Sequence, residues 1–217
     1  GQRQFSDPIS YNVGSVPSVV RVVDIEKDGD LDICTVNVGS GTVTILQNDG
    51  NGIFPSSRTV ATGLNSPAHL AVADFDLDGE TDLAVANASS IMLLFGGDFT
   101  ARQSFEANAG ELVVADLDGD GYEDIVSVHE SDNEYDSSVA DPNYVPDAAG
   151  HVRIAFGSAD PHRWTNITVA EASDAPAPED AAIADVNRDG HLDIIVAAEL
   201  AHLLYLCLLY TSDAADE

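Results

Sequence analysis

Four short stretches carry oxygen-bearing side chains at one fixed spacing: Asp24-Ile-Glu-Lys-Asp-Gly-Asp-Leu-Asp32, Asp74-Phe-Asp-Leu-Asp-Gly-Glu-Thr-Asp82, Asp116-Leu-Asp-Gly-Asp-Gly-Tyr-Glu-Asp124 and Asp185-Val-Asn-Arg-Asp-Gly-His-Leu-Asp193. Each places a carboxylate or amide at relative positions 1, 3, 5 and 9, with glycine at position 6. Alternate residues of a tightly turning loop can aim their oxygens at one centre, and glycine permits the turn; a hard cation taking about six to eight oxygen ligands, calcium, suits such a loop. Up to four Ca2+ ions are expected. Without a counter-ion, carboxylates gathered this closely would repel one another.

Helix-flanked calcium loops also begin Asp-x-Asp-x-Asp-Gly, but they need a carboxylate at position 12. Here that position holds Thr35, Val85, Ser127 and Val196, and strand-like sequence follows. Other chemistries find no support. The histidines His69, His129, His151, His162, His191 and His202 form no His-Glu-x-x-His pair and no zinc-spaced Cys-His cluster. There is no nucleophile elbow, phosphate loop or dinucleotide fingerprint, and the acids are too numerous to single out a catalytic pair. No catalytic residue is expected, and the chain reads as non-enzymatic.

The elements that must position the loops recur with them. Each unit opens on an aromatic residue, Phe5, Phe54, Phe99 or Trp164. Short runs such as Pro8 to Val13, Arg58 to Thr62 and Asn166 to Ala170 come next. A second run (Val19 to Val23, Leu70 to Ala73, Leu112 to Ala115, Ala181 to Ala184) enters the acidic loop, a third (Leu31 to Val38, Thr81 to Ala86, Glu123 to Val128, Leu192 to Ala198) leaves it, and a fourth (Thr42 to Leu46, Ile91 to Phe95, His151 to Phe156, Leu203 to Leu206) follows. Runs of this length, rich in Val and Ile and parted by Gly, Asn, Ser and Asp, are strands. A proline, Pro17, Pro67 or Pro178, restrains the entry to the second run in three units. Four antiparallel strands repeated radially make the blade of a β-propeller, so the fold class is all-β with about four blades. The units span 5–53, 54–98, 99–163 and 164–206, the last incomplete, as in a piece of a larger propeller. Residues 207–217 break the repeat and look like a translated sequencing adapter, hence a non-native tail.

Composition bounds the partners. With 38 acids against one lysine (Lys27) and seven arginines, the net charge is −30 and a nucleic-acid partner is excluded on electrostatic grounds. The 44% of hydrophobic residues suffice for a packed core. No run reaches the roughly 18 apolar residues of a membrane span. Cys34 and Cys207 imply no disulfide framework. The third unit carries a polar insertion, residues 131–150, flanked by His129 and His151 and containing Asp132, Glu134, Tyr135, Asp136 and Tyr144, which reads first as a solvated acidic loop and second as a binding site. Two glycosylation sequons, Asn87-Ala-Ser89 and Asn166-Ile-Thr168, are read as chance occurrences.

The repeated loops, with Phe95-Gly96 and Phe156-Gly157, resemble the FG-GAP/VCBS repeat family, whose members include the seven-bladed propeller of integrin α subunits. The likeness covers about residues 5–206; Leu46-Gln-Asn-Asp-Gly50 departs from the Phe-Gly pattern. The resemblance implies calcium between the first and second strands of each blade. Its side-chain ligands would be Asp24, Glu26, Asp28 and Asp32; Asp74, Asp76, Asp78 and Asp82; Asp116, Asp118, Asp120 and Asp124; and Asp185, Asn187, Asp189 and Asp193. Position 7 (Asp30, Glu80, Tyr122, His191) would give only its carbonyl. Glu26 is longer than Asp and Asn187 lacks a charge, so units two and three are expected to bind most tightly. The need of such loops for abundant calcium favours an extracellular, periplasmic or cell-surface protein, and the resemblance implies adhesion or ligand binding, with a protein or carbohydrate ligand met on the face opposite the calcium loops, where Asp132, Glu134, Tyr135, Asp136 and Tyr144 would lie. The alternative is the propeller scaffold of a larger secreted carbohydrate-active enzyme.

Overall fold

A computed structural model describes residues 7–100, 102–106, 110–129, 150–171, 178–198 and 203–207. Among the described residues there is no helix; fifteen strands form four antiparallel sheets. The first sheet holds β1 (Pro17–Val23), β2 (Asp32–Asn37), β3 (Thr42–Gln47) and β4 (Ser56–Ala61). The second holds β5 (His69–Ala73), β6 (Asp82–Asn87), β7 (Ser90–Leu94) and β8 (Arg102–Glu106). β9 (Leu112–Ala115), β10 (Asp124–His129), β11 (His151–Phe156) and β12 (Thr165–Glu171) make the third, and β13 (Pro178–Ala184), β14 (Asp193–Ala198) and β15 (Leu203–Cys207) the fourth. Every sheet follows chain order, and the first strands of successive sheets touch, so the sheets stand side by side in an open arc with β1, β5, β9 and β13 on its inner edge.

The sheets are offset from the aromatic-to-aromatic units. β4 follows Phe54 yet pairs with β3, because a short turn lets it fold straight back, whereas the link to β5 must carry the chain from the outer edge to the inner edge of the next sheet. The run Pro8 to Val13, expected as a strand, forms none; no described sheet precedes it to supply a hydrogen-bonding partner. Conversely, β8 (Arg-Gln-Ser-Phe-Glu) carries too little apolar signal to announce itself and exists because β7 offers it an edge. Pro17 and Pro178 begin β1 and β13 at register irregularities, where the lost N–H interrupts no ladder.

The core lies in the seams between sheets. Cys34, Val36, Val43 and Ile45 meet Leu70, Leu83, Val85 and Leu94 in the first seam. Ala84, Ile91 and Leu93 meet Leu112, Ile125 and Ala155 in the second; Val126, Val128, Val152 and Ile154 meet Ala181, Ile194 and Val196 in the third. Fully burying one such side chain contributes about 1.5–3 kcal/mol. The central strands are packed on both faces, which explains their near-continuous apolar runs. Two of the unit-opening aromatics plug these seams: Phe99 is buried in the first, under the guanidinium of Arg58 at 4.8 Å, and Trp164 stacks on Phe105 beside the second, whereas Phe54 meets Tyr11 edge-on. Phe5 lies outside the described residues.

Candidate metal centre

Each acidic stretch is the hairpin loop joining the first two strands of a sheet, so all four lie at one end of the arc. Within each loop, exposure falls from position 5 to position 9. In the second loop Asp78 is exposed, Asp74 and Asp76 half-buried, and Asp82 fully buried. That gradient separates two jobs.

Positions 1, 3 and 5 gather at the loop centre. In the second loop Asp74, Asp76 and Asp78, and in the third Asp116, Asp118 and Asp120, bring one carboxylate oxygen each within 4.8 Å of the others. The same residues shape the turn. Asp74 Oδ2 accepts from Gly79 N at 3.0 Å, Asp76 Oδ1 from Asp78 N at 3.1 Å, and Asp78 Oδ1 from Glu80 N at 2.7 Å. The third loop repeats this with Asp116 on Gly121 N (2.9 Å), Asp118 on Asp120 N (3.1 Å) and Asp120 on Tyr122 N (2.9 Å). Asp74 Oδ1, by contrast, is buried and accepts no hydrogen bond. The donor set fits a hard cation: all oxygen, mostly charged, with an acceptor left over.

The outer loops differ as their residue types foretell. Asp24 and Asp28 bond to backbone N–H groups as their counterparts do, but no carboxylate triad converges there. Glu26 instead is pushed up to about 7 by burial, by a hydrogen bond with Asp32, and by the charges of Asp32 and Asp28. In the fourth loop Asp185 accepts from Arg188, Asp189 and Gly190, and Asn187 turns its amide toward Asp189 at 2.9 Å. The His191 amide and the Asn187 side chain hold Asp189 below the usual carboxylate range.

Position 9, expected among the ligands, has both carboxylate oxygens engaged by the backbone in three loops. Asp82 accepts from Phe75 N at 2.8 Å and Gly96 N at 2.6 Å; Asp124 from Leu117 N at 2.8 Å and Gly157 N at 2.9 Å; Asp32 from Ile25 N and Asn48 N, each at 2.9 Å. One carboxylate thus ties the loop entry to the end of the sheet's third strand. Asp193 keeps only the first bond, from Val186 N at 3.0 Å, and its other oxygen is buried without a partner. Burial pushes Asp82 and Asp124 up to about 6, while the amide hydrogen bonds pull the other way.

Position 7 also does more than its expected carbonyl role. A β-carbon on Gly96 would sit 2.5 Å from Glu80 Cβ, and one on Gly157 would sit 2.5 Å from the Glu123 carbonyl and 3.2 Å from Tyr122 Cβ. These glycines donate to position 9 and leave room for the loop above them, a physical reason for Phe-Gly. In the first sheet Gln47-Asn48 takes the same place, with Asn48 donating through its backbone to Asp32 and through its side chain to Leu31 O at 2.9 Å. The equivalent turn of the fourth sheet, after β15, is outside the described residues.

Two further positions escaped sequence reasoning. Position 4 is left-handed in every loop, with φ of 54° at Lys27, 57° at Leu77, 77° at Gly119 and 64° at Arg188; only the third loop answers with glycine. Position 2 (Ile25, Phe75, Leu117, Val186) sends its N–H to position 9, and Phe75 and Leu117 are buried in the seams. Its unbroken apolar character was the available signal. The insertion candidates Asp132, Glu134, Tyr135, Asp136 and Tyr144 lie outside the described residues. Of the sequons, Asn87 uses its amide in the β6–β7 turn, accepting from Ser89 and Ser90 and donating to Asn65 O.

An open arc of antiparallel sheets, three of four strands and one of three among the described residues, each with an acidic hairpin at the same end, defines a β-propeller-like repeat protein. Residues 24–85 and 74–127 match the family model described as FG-GAP-like repeat. A search of curated proteins gives no match.

Proposed function

We propose that the chain is a calcium-binding β-propeller repeat region of an extracellular, periplasmic or cell-surface protein, without catalytic activity, that serves adhesion or ligand binding. The convergence of Asp74, Asp76 and Asp78, and of Asp116, Asp118 and Asp120, within 4.8 Å carries the calcium reading. When bound, calcium would supply the positive charge that these oxygens share. The unfolded chain cannot assemble the set, so binding adds folding free energy by linkage. Sites of this kind in extracellular modules have dissociation constants of about 10⁻⁴–10⁻³ M, which favours a calcium-rich compartment.

The partner, a protein or a carbohydrate, would meet the opposite end of the arc. Support comes from an open recess of about 620 Å³ there, between the β2–β3 turn and the link from β4 to β5, lined by Val16, Val38, Ser40, Leu64, Asn65 and Ser66 among others and by no charged residue. In a chain of net charge −30 an uncharged recess is a place where a neutral partner pays little electrostatic penalty. Among the described residues no helix is long and apolar enough to cross a membrane.

The test is thermal melting in chelator and in millimolar calcium. The reading predicts a reversible upward shift that is lost in an Asp78→Asn/Asp120→Asn double variant. An identical melt with and without calcium would sink it.

A further inference from the structure

His129 and His151, singled out because they flank the insertion, are brought together by the fold. They are register partners, the last residue of β10 opposite the first of β11. Both are buried, at 6% and 4% exposure, with ring centroids 5.3 Å apart and planes inclined by 38°. By strand alternation they share a face with Ile125 and Ala155, which pack in the seam with the second sheet. The pair lies at the end of the third sheet opposite Asp116, Asp118 and Asp120, so it belongs to neither the acidic loop nor its backbone clamp.

We propose that His129 and His151 form a two-histidine site for a borderline divalent transition metal of the Zn2+, Cu2+ and Ni2+ class, at the root of the β10–β11 hairpin. Imidazole nitrogen suits these ions, whereas calcium takes oxygen, so the two ends of the third sheet would sort metals by ligand chemistry. The spacing agrees. Two imidazoles bonded to one tetrahedral ion at about 2.0–2.1 Å per nitrogen have ring centroids about 5 Å apart, against 5.3 Å here. Directly opposed residues of an antiparallel pair have Cβ atoms about 4.5–5.5 Å apart, a separation that two imidazoles can span through one shared ion. Solvent or a small anion would complete the coordination. The ion would pin the two strand ends between which residues 130–149 run.

The experiment uses the full chain in excess calcium, so that the acidic loops do not compete. Zinc titration by calorimetry should give one saturable equivalent that disappears in His129→Gln and in His151→Gln, each still melting cooperatively with calcium. Cu2+ at one equivalent should give an electron paramagnetic resonance spectrum with hyperfine structure from two imidazole nitrogens, reduced to one in either variant. Failure of the wild type to bind zinc, or an isotherm that survives both substitutions, overturns the proposal. Should a variant fail to fold, histidine-selective 15N spectra of the wild type decide: zinc must move the ring nitrogens of His129 and His151, and movement confined to the other four histidines refutes the site.

Discussion

Asp78 and Asp82 stand four residues apart in one acidic loop, and the structure gives their carboxylates different physics. Asp82 is fully buried and accepts two backbone hydrogen bonds, from Phe75 N at 2.8 Å and Gly96 N at 2.6 Å. Replacing it with asparagine keeps one acceptor but turns an NH2 group toward the other amide. One buried donor then loses its partner, which costs about 1–3 kcal/mol. A loss near 2 kcal/mol lowers Tm by roughly 4–8 °C in a chain of this size. The cost should be present already in chelator, because the bonds it removes do not involve the ion. Asp78 is exposed and accepts one bond, from Glu80 N at 2.7 Å, which an asparagine oxygen can accept equally well. Asp78→Asn should therefore melt within about 0.5 kcal/mol of the wild type in chelator, yet lose part of the calcium-induced rise, since ligand charge tunes affinity. Asp193→Asn, which gives up only the Val186 contact, should cost less than Asp82→Asn. The assay is paired thermal or urea unfolding with chelator and with millimolar calcium. If Asp82→Asn is silent in chelator while Asp78→Asn unfolds the chain, the division into a buried clamp and a peripheral ligand set is refuted.

Position 4 offers a gain: Leu77, exposed and left-handed at φ 57°, should yield about 0.5–1 kcal/mol on Leu77→Gly, read as a higher urea midpoint. Gly96→Ala, whose β-carbon would meet Glu80 Cβ at 2.5 Å, should destabilise by about 1–3 kcal/mol in the same assay. In the calcium-free chain Asp82 and Asp124 titrate at about 6, above their ordinary 3.8, so the folded state holds these protons more tightly than the unfolded. Their contribution is complete below pH 3.8 and is lost as pH rises through about 6; Tm in chelator should fall over that interval, and a flat or rising profile would contradict the cause assigned here. Arg58, which donates to Gly97 O and Asp98 O and covers Phe99, should cost about 1–2 kcal/mol on Arg58→Ala, with Arg58→Lys restoring little because an ammonium cannot reach both carbonyls and stack at once.

Much of this molecule is readable from its residue order. The third and fourth runs of the first three units became strands because both their faces are packed, and a run such as Leu83 to Ala86 has no polar face to expose. The acidic spacing put Asp74, Asp76 and Asp78 on one side of a turn because alternate residues of a tight loop share a side. The glycine at position 6 is demanded by backbone geometry alone: φ there is 96°, 91°, 93° and 93°, and a β-carbon would meet nothing within 4 Å. What the spacing could not distinguish was a carboxylate that faces the loop centre from one that faces the protein, since positions 5 and 9 are both aspartate in every loop.

That distinction belongs to tertiary structure, because it depends on partners far along the chain. Asp82 becomes a clamp only where Gly96 arrives at the end of the third strand of its sheet, and Asp124 only where Gly157 does. The histidines at 129 and 151 meet because antiparallel register closes a hairpin around residues that carry no periodic signal. Equivalent valines and leucines show the same dependence: Leu70 is buried against the first sheet, while Val20, in the same register of β1, is 57% exposed because no described sheet covers that face. Local chemistry, set by neighbours in the chain, was determined by the sequence itself. Burial, which depends on what the next sheet brings into contact, was decided only when the sheets packed.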